Sequence, residues 1–492
     1  MREKTRRQAE ETDAGEEKNS VKNTKRLNRE MAVVSYIFMA LFLVMAGFFV
    51  YYVAHNSDQI LNNAANKRQE LLAKRVTRGK ILSDSGKVLA RTKTNKKGED
   101  TRIYPYGELF AHVVGRLSHG KTGIEASESY TLLTSGIHPL FGMMNGLKGE
   151  KNPGNQVVTT LNVRLSQIAY DALGSEKGAV VVLEPDTGKI LCMVSKPSYN
   201  PGNLSDAEWA RLTGDEGEDS ALYNRAAQGL YPPGSTFKLY TALEYMRQND
   251  KADNFRYVCR GSIGEGSSRI RCYGGEVHGR LNLESAFARS CNAAFCKIGS
   301  GLDIGRWKKT CESLYYNNKL PVDMEQSTSR FTITEQSEKG DVMQASIGQG
   351  DTLVTPLQNA MLVCAAVNGG AVMTPYVVDR TEDFAGNAIS KTEPKEAGRP
   401  ITKQEAKKLR TLMRATVQSG TGSQLNTGGN YTAGGKTGSA EFSNGSRDSH
   451  AWFVGYAQGG GRKLVVSIVV EAAGTGGRYA VPIAKKIFDA YW

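Results

Sequence analysis

The chain has 492 residues, of which 40% are hydrophobic and 23% are charged, so it is long enough for two or three folded domains and too apolar to be disordered. Its formal net charge is +13. No basic stripe with interleaved aromatic residues accompanies this charge, which argues against nucleic-acid binding and favours attraction to an anionic membrane or envelope polymer.

Residues 31–54 form an apolar segment without a charged side chain. At about 1.5 Å per helical residue it reaches roughly 36 Å, which is enough to cross a hydrocarbon core of about 30 Å. A signal peptide has an apolar region of only about 7 to 15 residues, so the segment predicts an uncleaved transmembrane anchor. Basic residues flank its N-terminal end: Lys18, Lys22, Lys25, Arg26 and Arg29. By the positive-inside rule, residues 1–30 are a cytoplasmic tail and the chain beyond residue 55 is extracytoplasmic.

Residues 55–150 are expected to form a separate domain ahead of a boundary near residue 150. Residues 59–75 have a polar, helix-like pattern, and residues 78–90 predict a hairpin, because apolar residues alternate on both sides of an Asp-Ser-Gly turn. The polar stretch 148–154 contains Pro153 and Gly154 and marks a domain boundary.

Residues 155–492 predict an α/β (α+β) domain in which helices cover an antiparallel sheet. Strands are expected over 156–161, as a pair within 178–194, and over 432–443, 449–457 and 463–471. Helical patterns dominate from 235 to about 313 and from 355 to 368, and Pro482 is expected to open a last helix. The sheet is therefore assembled from both ends of the domain, around a mostly helical subdomain.

Three short stretches carry the candidate chemistry. Residues 231–238, Tyr-Pro-Pro-Gly-Ser-Thr-Phe-Lys, predict a stiff turn that places Ser235 in the first turn of a helix, with Lys238 over the same face. Each stretch alone is a weak signal, because short motifs arise by chance. The other two stretches are Ser290-Cys291-Asn292 and Lys436-Thr437-Gly438-Ser439.

Together, in this order and spacing, the three stretches resemble the signature set of the active-site serine penicilloyl enzymes. The chain is most similar to the class B penicillin-binding proteins, the monofunctional D,D-transpeptidases that cross-link peptidoglycan. The resemblance covers about residues 155–492, and residues 78–90 resemble the family's pedestal module more weakly. It therefore implies that residues 55–150 are a non-catalytic, β-rich pedestal domain. Supporting stretches are Asn224-Arg225-Ala226, residues 344–350 and residues 450–456.

The resemblance implies a role for each motif residue. Ser235, Lys238, Ser290 and Lys436 would be catalytic, and Asn292, Thr437, Gly438 and Ser439 would bind substrate. A serine hydroxyl needs a neighbouring base, and Lys238 can serve only when neutral, although a lysine has an unperturbed pKa of about 10.4. A helix N-terminus contributes too little to neutralise Lys238. We therefore expect burial and the nearby cation Lys436 to lower its pKa.

Seven cysteines are an odd number, so at least one thiol is free. Cys259 and Cys272 bracket a Gly-rich, basic loop with little core of its own, and they are the best candidate disulfide, with two buried thiols as the alternative. The sequence has no C-x-x-C pair and no cluster of histidines, so we expect no zinc site and no cofactor.

Other activities of the same site stay open. A D,D-carboxypeptidase would use the same residues with water as the acceptor. A class A β-lactamase would need a positioned glutamate, and no E-x-x-L-N stretch lies between Asn292 and Lys436. A membrane-bound β-lactam sensor or a non-catalytic cell-wall assembly scaffold is the alternative of another class.

The expected partners follow from the resemblance. They are peptidoglycan stem peptides, β-lactams and the cell membrane. Only about 100 residues separate the anchor from the transpeptidase region, which leaves no room for a glycosyltransferase domain. The resemblance therefore implies a polytopic SEDS-type glycosyltransferase as the partner that supplies glycan strands.

Overall fold

The computed structural model describes residues 2–62, 66–214, 220–426, 428–441 and 449–492. The chain divides into two compact units, residues 1–66 and 67–492. The first unit is one helix, α1 (Arg2–Asn62). Within it, Lys18–Asn56 is long and apolar enough to cross a membrane, and the side chains of residues 31–54 are exposed. Residues 63–65, which belong to the helix-like stretch predicted over 59–75, lie outside the described residues.

The N-terminal part of the second unit is built from short strands and short helices. Its elements are α2 (Arg68–Arg75), β1 (Val76–Thr77), β2 (Ile81–Leu82), β3 (Val88–Thr94), β4 (Asp100–Ile103), α3 (Ala111–Val114), α4 (Gly123–Ser127), α5 (Ser129–Leu132), α6 (Pro139–Leu147), β5 (Asn152–Pro153) and β6 (Gln156–Thr159). The predicted hairpin is present, since β2 pairs antiparallel with β3.

A buried charge cluster holds this region together. The Glu125 carboxylate is fully buried and accepts hydrogen bonds from Arg78 Nε at 2.6 Å and Arg102 Nε at 2.7 Å. Burial raises the pKa of Glu125, but the charges of Arg102 and Arg78 outweigh it, so the pKa lies below its usual 4.5.

The rest of the second unit contains the larger sheet and most of the helices. Its elements are α7 (Val163–Leu173), β7 (Gly178–Glu184), β8 (Lys189–Lys196), α8 (Asp206–Leu212), α9 (Lys238–Gln248), β9 (Tyr257–Cys259), β10 (Ser262–Ile263), β11 (Ile270–Arg271), β12 (Gly279–Leu281), α10 (Leu283–Ala288), α11 (Asn292–Gly299), α12 (Ile304–Ser313), α13 (Lys339–Ser346), α14 (Pro356–Val367), β13 (Val372–Met373), β14 (Val378–Glu382), β15 (Ala388–Lys391), β16 (Glu396–Gly398), α15 (Lys403–Ser419), β17 (Thr432–Glu441), β18 (Ser449–Gly459), β19 (Arg462–Val470) and α16 (Gly476–Tyr491).

Five of these strands form an antiparallel sheet in the order β17-β18-β19-β7-β8. Strand β7 reads Gly-Ala-Val-Val-Val-Leu-Glu and is buried at every position except the last, because helices cover both faces of the sheet. Helices α7 and α16 pack on the sheet, as do α14 and α15. The predicted antiparallel sheet from both ends of the domain, with a helical subdomain between, is confirmed. Residues 442 and 443 of the predicted strand lie outside the described residues.

Two details differ from expectation. Pro482 lies inside α16, which begins at Gly476 instead of at the proline. A second sheet, of order β15-β14-β6-β2-β3-β4, joins strands from both sides of the expected boundary near residue 150. Ile81 of β2 pairs with Val157 of β6, for example. The division of residues 67–492 into a pedestal and a transpeptidase domain stays a prediction.

Candidate active site

Ser235 lies in a tight turn just before α9. Residues Gly234–Phe237 form a 3-10 turn, and the α-helix begins at Lys238, one turn later than the sequence pattern indicated. Gly234 has φ +53° and donates its N–H to Gly348 O at 2.8 Å. This positive φ favours glycine at position 234. The turn is therefore fixed by its own backbone and by residues 344–350, one of the stretches noted in the sequence.

A buried aromatic cluster anchors the turn from below. The Phe237 ring is fully buried, and its centroid lies 5.1 Å from that of Tyr240, 5.9 Å from Trp307, 5.6 Å from Tyr316 and 5.5 Å from Phe331. Such close aromatic packing holds a side chain in one position. Because Phe237 is two residues from Ser235, the cluster also restricts where Ser235 can lie.

Strand β17 approaches the turn closely. A Cβ atom added to Gly438 would lie 3.0 Å from Pro233 O, and one added to Gly234 would lie 3.0 Å from Ser439 O. The Trp452 indole on β18 donates to Pro232 O at 3.0 Å. Small residues are thus required where the Lys-Thr-Gly strand passes the serine turn. The fold brings the first and third sequence motifs together.

The start of the turn is hydrogen bonded to Glu471, which directly follows β19. Tyr231 OH donates to Glu471 Oε1 at 2.6 Å, and Arg225 Nε donates to the same oxygen at 2.8 Å. Arg225 belongs to the Asn-Arg-Ala stretch that supported the family resemblance. Its role in the structure is to position the turn.

Lys238 is buried with its amine directed at the second motif. Nζ donates to Ser290 O at 2.7 Å, to Ser290 Oγ at 3.2 Å and to Asn292 Oδ1 at 2.7 Å. Burial lowers the pKa of Lys238 from its usual 10.5 to about 8, and three nearby cysteine thiols act in the opposite direction. A substantial fraction of Lys238 is therefore neutral slightly above neutral pH.

Ser290 has an unusual backbone conformation, with φ +57°. Few non-glycine residues adopt this region, and they concentrate where surrounding contacts impose it. Helix α11 begins two residues later at Asn292, whose Nδ2 donates to Arg271 O at 3.0 Å. The conformation turns both the carbonyl and the hydroxyl of Ser290 toward Lys238.

Lys436 is fully buried on β17, where Nζ donates to Thr437 O at 3.0 Å. Burial and the charge of Lys238 hold the pKa of Lys436 well below its usual 10.5. We expected Lys436 to be the cation that lowers the pKa of Lys238. Burial is the main cause of the lowered pKa of Lys238, and the charges of the two buried amines repel each other, which also lowers the pKa of Lys436.

The structure thus joins the three predicted motifs at one place. Lys238 is bonded to Ser290 and Asn292, and the turn that carries Ser235 packs against the strand that carries Gly438 and Ser439. Sequence reasoning missed several supporting residues, although two of them lie in the noted stretches 344–350 and 450–456. The most important are Gly348, Trp452 and Thr421, whose hydroxyl is hydrogen bonded to that of Thr437.

Cys259 and Cys272 are two buried thiols in the structure, which is the alternative that the sequence left open beside a disulfide. Their sulfur atoms lie 3.7 Å apart, far from the S–S bond length of about 2.05 Å, and both cysteines are free thiols. Cys272 Sγ is at the same distance, 3.7 Å, from the sulfur of Cys291, the middle residue of the second motif. The fold therefore gives Cys272 two neighbouring thiols, which the sequence spacing did not indicate.

Comparison with known proteins agrees with this arrangement. Residues 178–489 match the family described as penicillin-binding protein transpeptidase domain, and residues 78–157 match the penicillin-binding protein A dimerisation domain. The chain belongs to the penicillin-binding protein transpeptidase family. This penicillin-binding protein is accordingly a serine-type peptidoglycan D,D-transpeptidase, which confirms the class of enzyme expected from the motifs.

Individual relatives resemble the penicillin-binding protein over most of its length. It is 30% identical to peptidoglycan D,D-transpeptidase PbpA of Mycolicibacterium smegmatis, a match that covers 94% of this chain and 98% of that protein. The solved penicillin G acyl-enzyme complex of penicillin-binding protein A from Mycobacterium tuberculosis is 30% identical, with a TM-score of 0.74 and coverage of 84% of this chain and 99% of that chain. The D,D-transpeptidase domain of an Eggerthella lenta peptidoglycan glycosyltransferase is 30% identical, with a TM-score of 0.75 and coverage of 85% and 98%.

Proposed function

We propose that this enzyme cross-links peptidoglycan stem peptides through an acyl-enzyme on Ser235, with Lys238 as its general base. The observation that carries the proposal is the fully buried Lys238, whose pKa is lowered to about 8 three residues after a serine held in a tight turn. A serine hydroxyl needs a neighbouring base, and a partly neutral amine carried three residues after the serine can fill that role.

The hydrogen bonds of Lys238 support a defined proton path. As an ammonium group, Lys238 directs its donors at Ser290 and Asn292. Loss of one proton leaves a lone pair that can accept the Ser235 hydroxyl proton while Oγ attacks the substrate carbonyl carbon. The C–N bond to the terminal residue then breaks, and the amine leaves with a proton relayed through Ser290. An amine from a second stem peptide reverses these steps and restores Ser235.

Strand β17 supports the proposed binding of the stem peptide. It lies at one end of its sheet, so one of its edges has no strand partner in that sheet, and an extended peptide can pair there. Thr437 and Ser439 would bind the peptide carboxylate, and Gly438 allows close backbone approach. The N–H groups of Ser235 and Ser439 would form the oxyanion hole, an arrangement typically worth about 3 to 4 kcal/mol of barrier.

Covalent reaction with penicillin is part of the same proposal, since a β-lactam carbonyl would meet the same nucleophile. Full-length protein in detergent is treated with a fluorescent penicillin, and the acylated peptide is identified by mass spectrometry. We expect the adduct on Ser235 in the wild type and none in Ser235→Ala. Ser313→Ala, an exposed serine on α12, is the matched control and should acylate normally. An adduct on another residue would contradict the assignment.

Transpeptidation is separated from its alternatives by the products formed. With a glycan supply and lipid-linked precursor, the wild type should yield dimeric muropeptides, and Ser235→Ala should not. Release of the terminal residue without dimers would indicate a carboxypeptidase. Acylation by penicillin without either product would indicate a sensor.

We also propose that residues 31–54 of this helix span the cell membrane, with the N-terminus in the cytoplasm and residues 67–492 outside. The basic residues before position 31 support this orientation. A reporter that is active only in the cytoplasm, fused after residue 100, should be silent. Its activity would reverse the topology.

A SEDS-type glycosyltransferase is the proposed partner, bound through the anchor and the pedestal, residues 55–150. Helix α6 supports a protein contact on the pedestal, because it exposes a cluster of large apolar side chains: Leu140, Phe141, Met143, Met144 and Leu147. Exchange of residues 31–54 for an unrelated membrane span, or Leu140→Ser with Phe141→Ser, should reduce co-purification of the glycosyltransferase. Ile389→Ser, at another exposed apolar residue, is the control. Unchanged co-purification in both variants would rule the interface out.

A further inference from the structure

Three thiols and one imidazole converge behind the second active-site motif. The ligand atoms of Cys259, Cys272, His278 and Cys291 all lie within 4.8 Å of one another, and all four residues are buried. Cys272 Sγ is 3.7 Å from Cys259 Sγ and 3.7 Å from Cys291 Sγ. Cys259 Sγ is 3.5 Å from His278 Nδ1.

We propose that these four residues bind one Zn²⁺ ion, and that the ion fixes the Ser290–Asn292 segment of the active site. In a tetrahedral site with Zn–S of about 2.3 Å and Zn–N of about 2.0 Å, two sulfurs lie about 3.8 Å apart and a sulfur and a nitrogen about 3.5 Å apart. The three measured distances agree with those of a tetrahedron. Three cysteines and one histidine are also a ligand set typical of structural zinc.

A disulfide explains this cluster less well than a metal does. It would use only two of the four groups, and the two equal distances from Cys272 single out neither Cys259 nor Cys291. It would also leave His278 buried with a ring nitrogen directed at sulfur. A shared metal ion accounts for the three thiols and the imidazole together.

The surroundings stabilise the ligands in their metal-binding forms. The N–H groups of Gly261 and Ala294 donate to Cys259 Sγ and Cys291 Sγ, each at 3.4 Å, which favours thiolates. Glu276 Oε2 lies 3.5 Å from His278 Nε2, so a carboxylate is placed to orient the imidazole while Nδ1 faces the sulfurs. Ligating histidines commonly have such a partner on the other ring nitrogen.

The segment around the cluster has little other means of stabilisation. Between residues 257 and 281 it contains the two- and three-residue strands β9 to β12 and two three-residue 3-10 turns. Short strands of this kind bury too little apolar surface to be stable alone, and a bound metal can replace a core. The zinc ion would hold this segment against α11.

The cluster is linked directly to the active site through Cys291. Its neighbours Ser290 and Asn292 supply all three hydrogen-bond acceptors of Lys238. Asn292 also donates to Arg271 O, next to the ligand Cys272. A metal bond at Cys291 would therefore maintain the positive φ of Ser290 and the position of Asn292. The four ligands are positioning residues, since none of them is placed to touch the reacting atoms.

The first experiment measures metal in the wild-type protein. Full-length protein is purified in detergent without chelators or metal-affinity resin, and its metals are quantified by mass spectrometry. We expect about one zinc per chain, and the visible absorption of tetrahedral thiolate coordination after exchange with Co²⁺. Absence of bound zinc, iron as the main metal, or a Cys259–Cys272 disulfide in non-reducing peptide maps would overturn the proposal.

The second experiment tests the ligands and the link to the active site. Cys259→Ser and His278→Ala should reduce the zinc content at least about tenfold. Cys364→Ala and Cys311→Ala remove buried thiols outside the cluster and should retain zinc. If the ligand variants do not fold, chelation of the wild type replaces them. Zinc removal should lower the Tm and slow acylation by penicillin about tenfold or more, and added Zn²⁺ should restore both.

Retention of zinc in both ligand variants would overturn the site. Zinc removal that changes neither the Tm nor the acylation rate would overturn the positioning role. Zinc content does not depend on Ser235, so a failure of this inference is distinguishable from a failure of the proposed acyl transfer.

Discussion

At the scale of single residues, the active site depends on two amines held in the protein interior. Neither Lys238 nor Lys436 forms an ion pair with a carboxylate in the described parts of the chain, and both are fully buried. Burying an unpaired ammonium group costs several kcal/mol, so the neutral form is favoured. The protein thereby obtains a base at the expense of stability, which is common at catalytic sites.

The rate of acylation should depend on pH through Lys238. Only the neutral amine can accept the Ser235 proton, and its pKa is about 8. The second-order rate constant for a fluorescent penicillin should therefore rise with pH and level off above about 8. Lys238→Arg, which keeps the charge but cannot deprotonate, should slow acylation by about 10² to 10⁴-fold. A flat profile between pH 6 and 9 would contradict Lys238 as the base.

Lys436→Met should make the protein more stable while impairing catalysis. Methionine is similar in shape to lysine and carries no charge when it is buried. Because the folded pKa of Lys436 lies well below its usual 10.5, the wild type releases a proton on folding, and its stability rises with pH over that interval, by up to about 1.4 kcal/mol per pH unit. The increase in Tm of the variant should thus be larger at pH 7 than at pH 9. An equal increase in Tm at both pH values would show that titration of Lys436 does not affect stability, and a decrease in Tm would show that Lys436 is not destabilising.

At the scale of elements, the turn that carries Ser235 is held between three parts of the fold. Strand β17 contacts it at Gly438 and Ser439, the aromatic cluster fixes Phe237, and Gly348 accepts from Gly234. Helix α9 follows immediately, so Lys238 is carried at a fixed offset from Ser235. The geometry of the serine is therefore a property of packing around the turn.

Gly348→Ala should disturb this turn. Gly348 has φ +75°, and an added Cβ would lie 2.1 Å from Gly234 O. We expect a loss of about 1 to 3 kcal/mol in the free energy of unfolding and slower acylation of Ser235. Gly369→Ala is the matched control, because φ is also positive there, at +61°, but no atom lies within 4 Å of the added Cβ. Equal effects of both substitutions on the acylation rate would refute the steric link to the turn.

At the scale of the whole molecule, residues 67–492 form one compact unit in which one sheet joins the N-terminal strands to β6 and β14. The buried cluster of Glu125, Arg78 and Arg102 belongs to the N-terminal part of this unit. Arg102 also donates to Gly79 O at 2.6 Å, which ties β4 to the segment before β2. The N-terminal region is therefore stabilised by charge pairing as well as by apolar packing.

Glu125→Gln should destabilise this region without altering the chemistry at Ser235. It leaves the buried Arg78 and Arg102 without their counter-charge, at a cost of about 3 to 5 kcal/mol in urea unfolding. Because the pKa of Glu125 is below 4.5, its contribution in the wild type is present at neutral pH and is lost as the pH falls through that folded-state pKa. At a low temperature, where the variant stays folded, its acylation rate should equal that of the wild type.

Glu208→Gln is the control for this prediction, since its pair with Arg211 is largely exposed. We expect little change in the free energy of unfolding, because water screens an exposed ion pair. A similarly small effect of Glu125→Gln would show that the buried cluster contributes little.

The sequence by itself determined the features that depend on local pattern. The apolar segment 31–54, the alternation in β17 to β19 and the three short motifs are properties of neighbouring residues, so their period and spacing were sufficient to predict them. The order of the motifs also identified the family, because a set of three in fixed order arises far less often by chance than any one.

Only the tertiary structure decided the environment of those residues. The pKa of Lys238, the positive φ of Ser290 and the contact of Gly348 with the serine turn depend on atoms that are distant in sequence. The cysteine–histidine cluster is the clearest case, since its members are 13 and 19 residues apart and no known spacing pattern indicated them. Burial and ligand geometry are set by long-range packing, which a one-dimensional pattern does not contain.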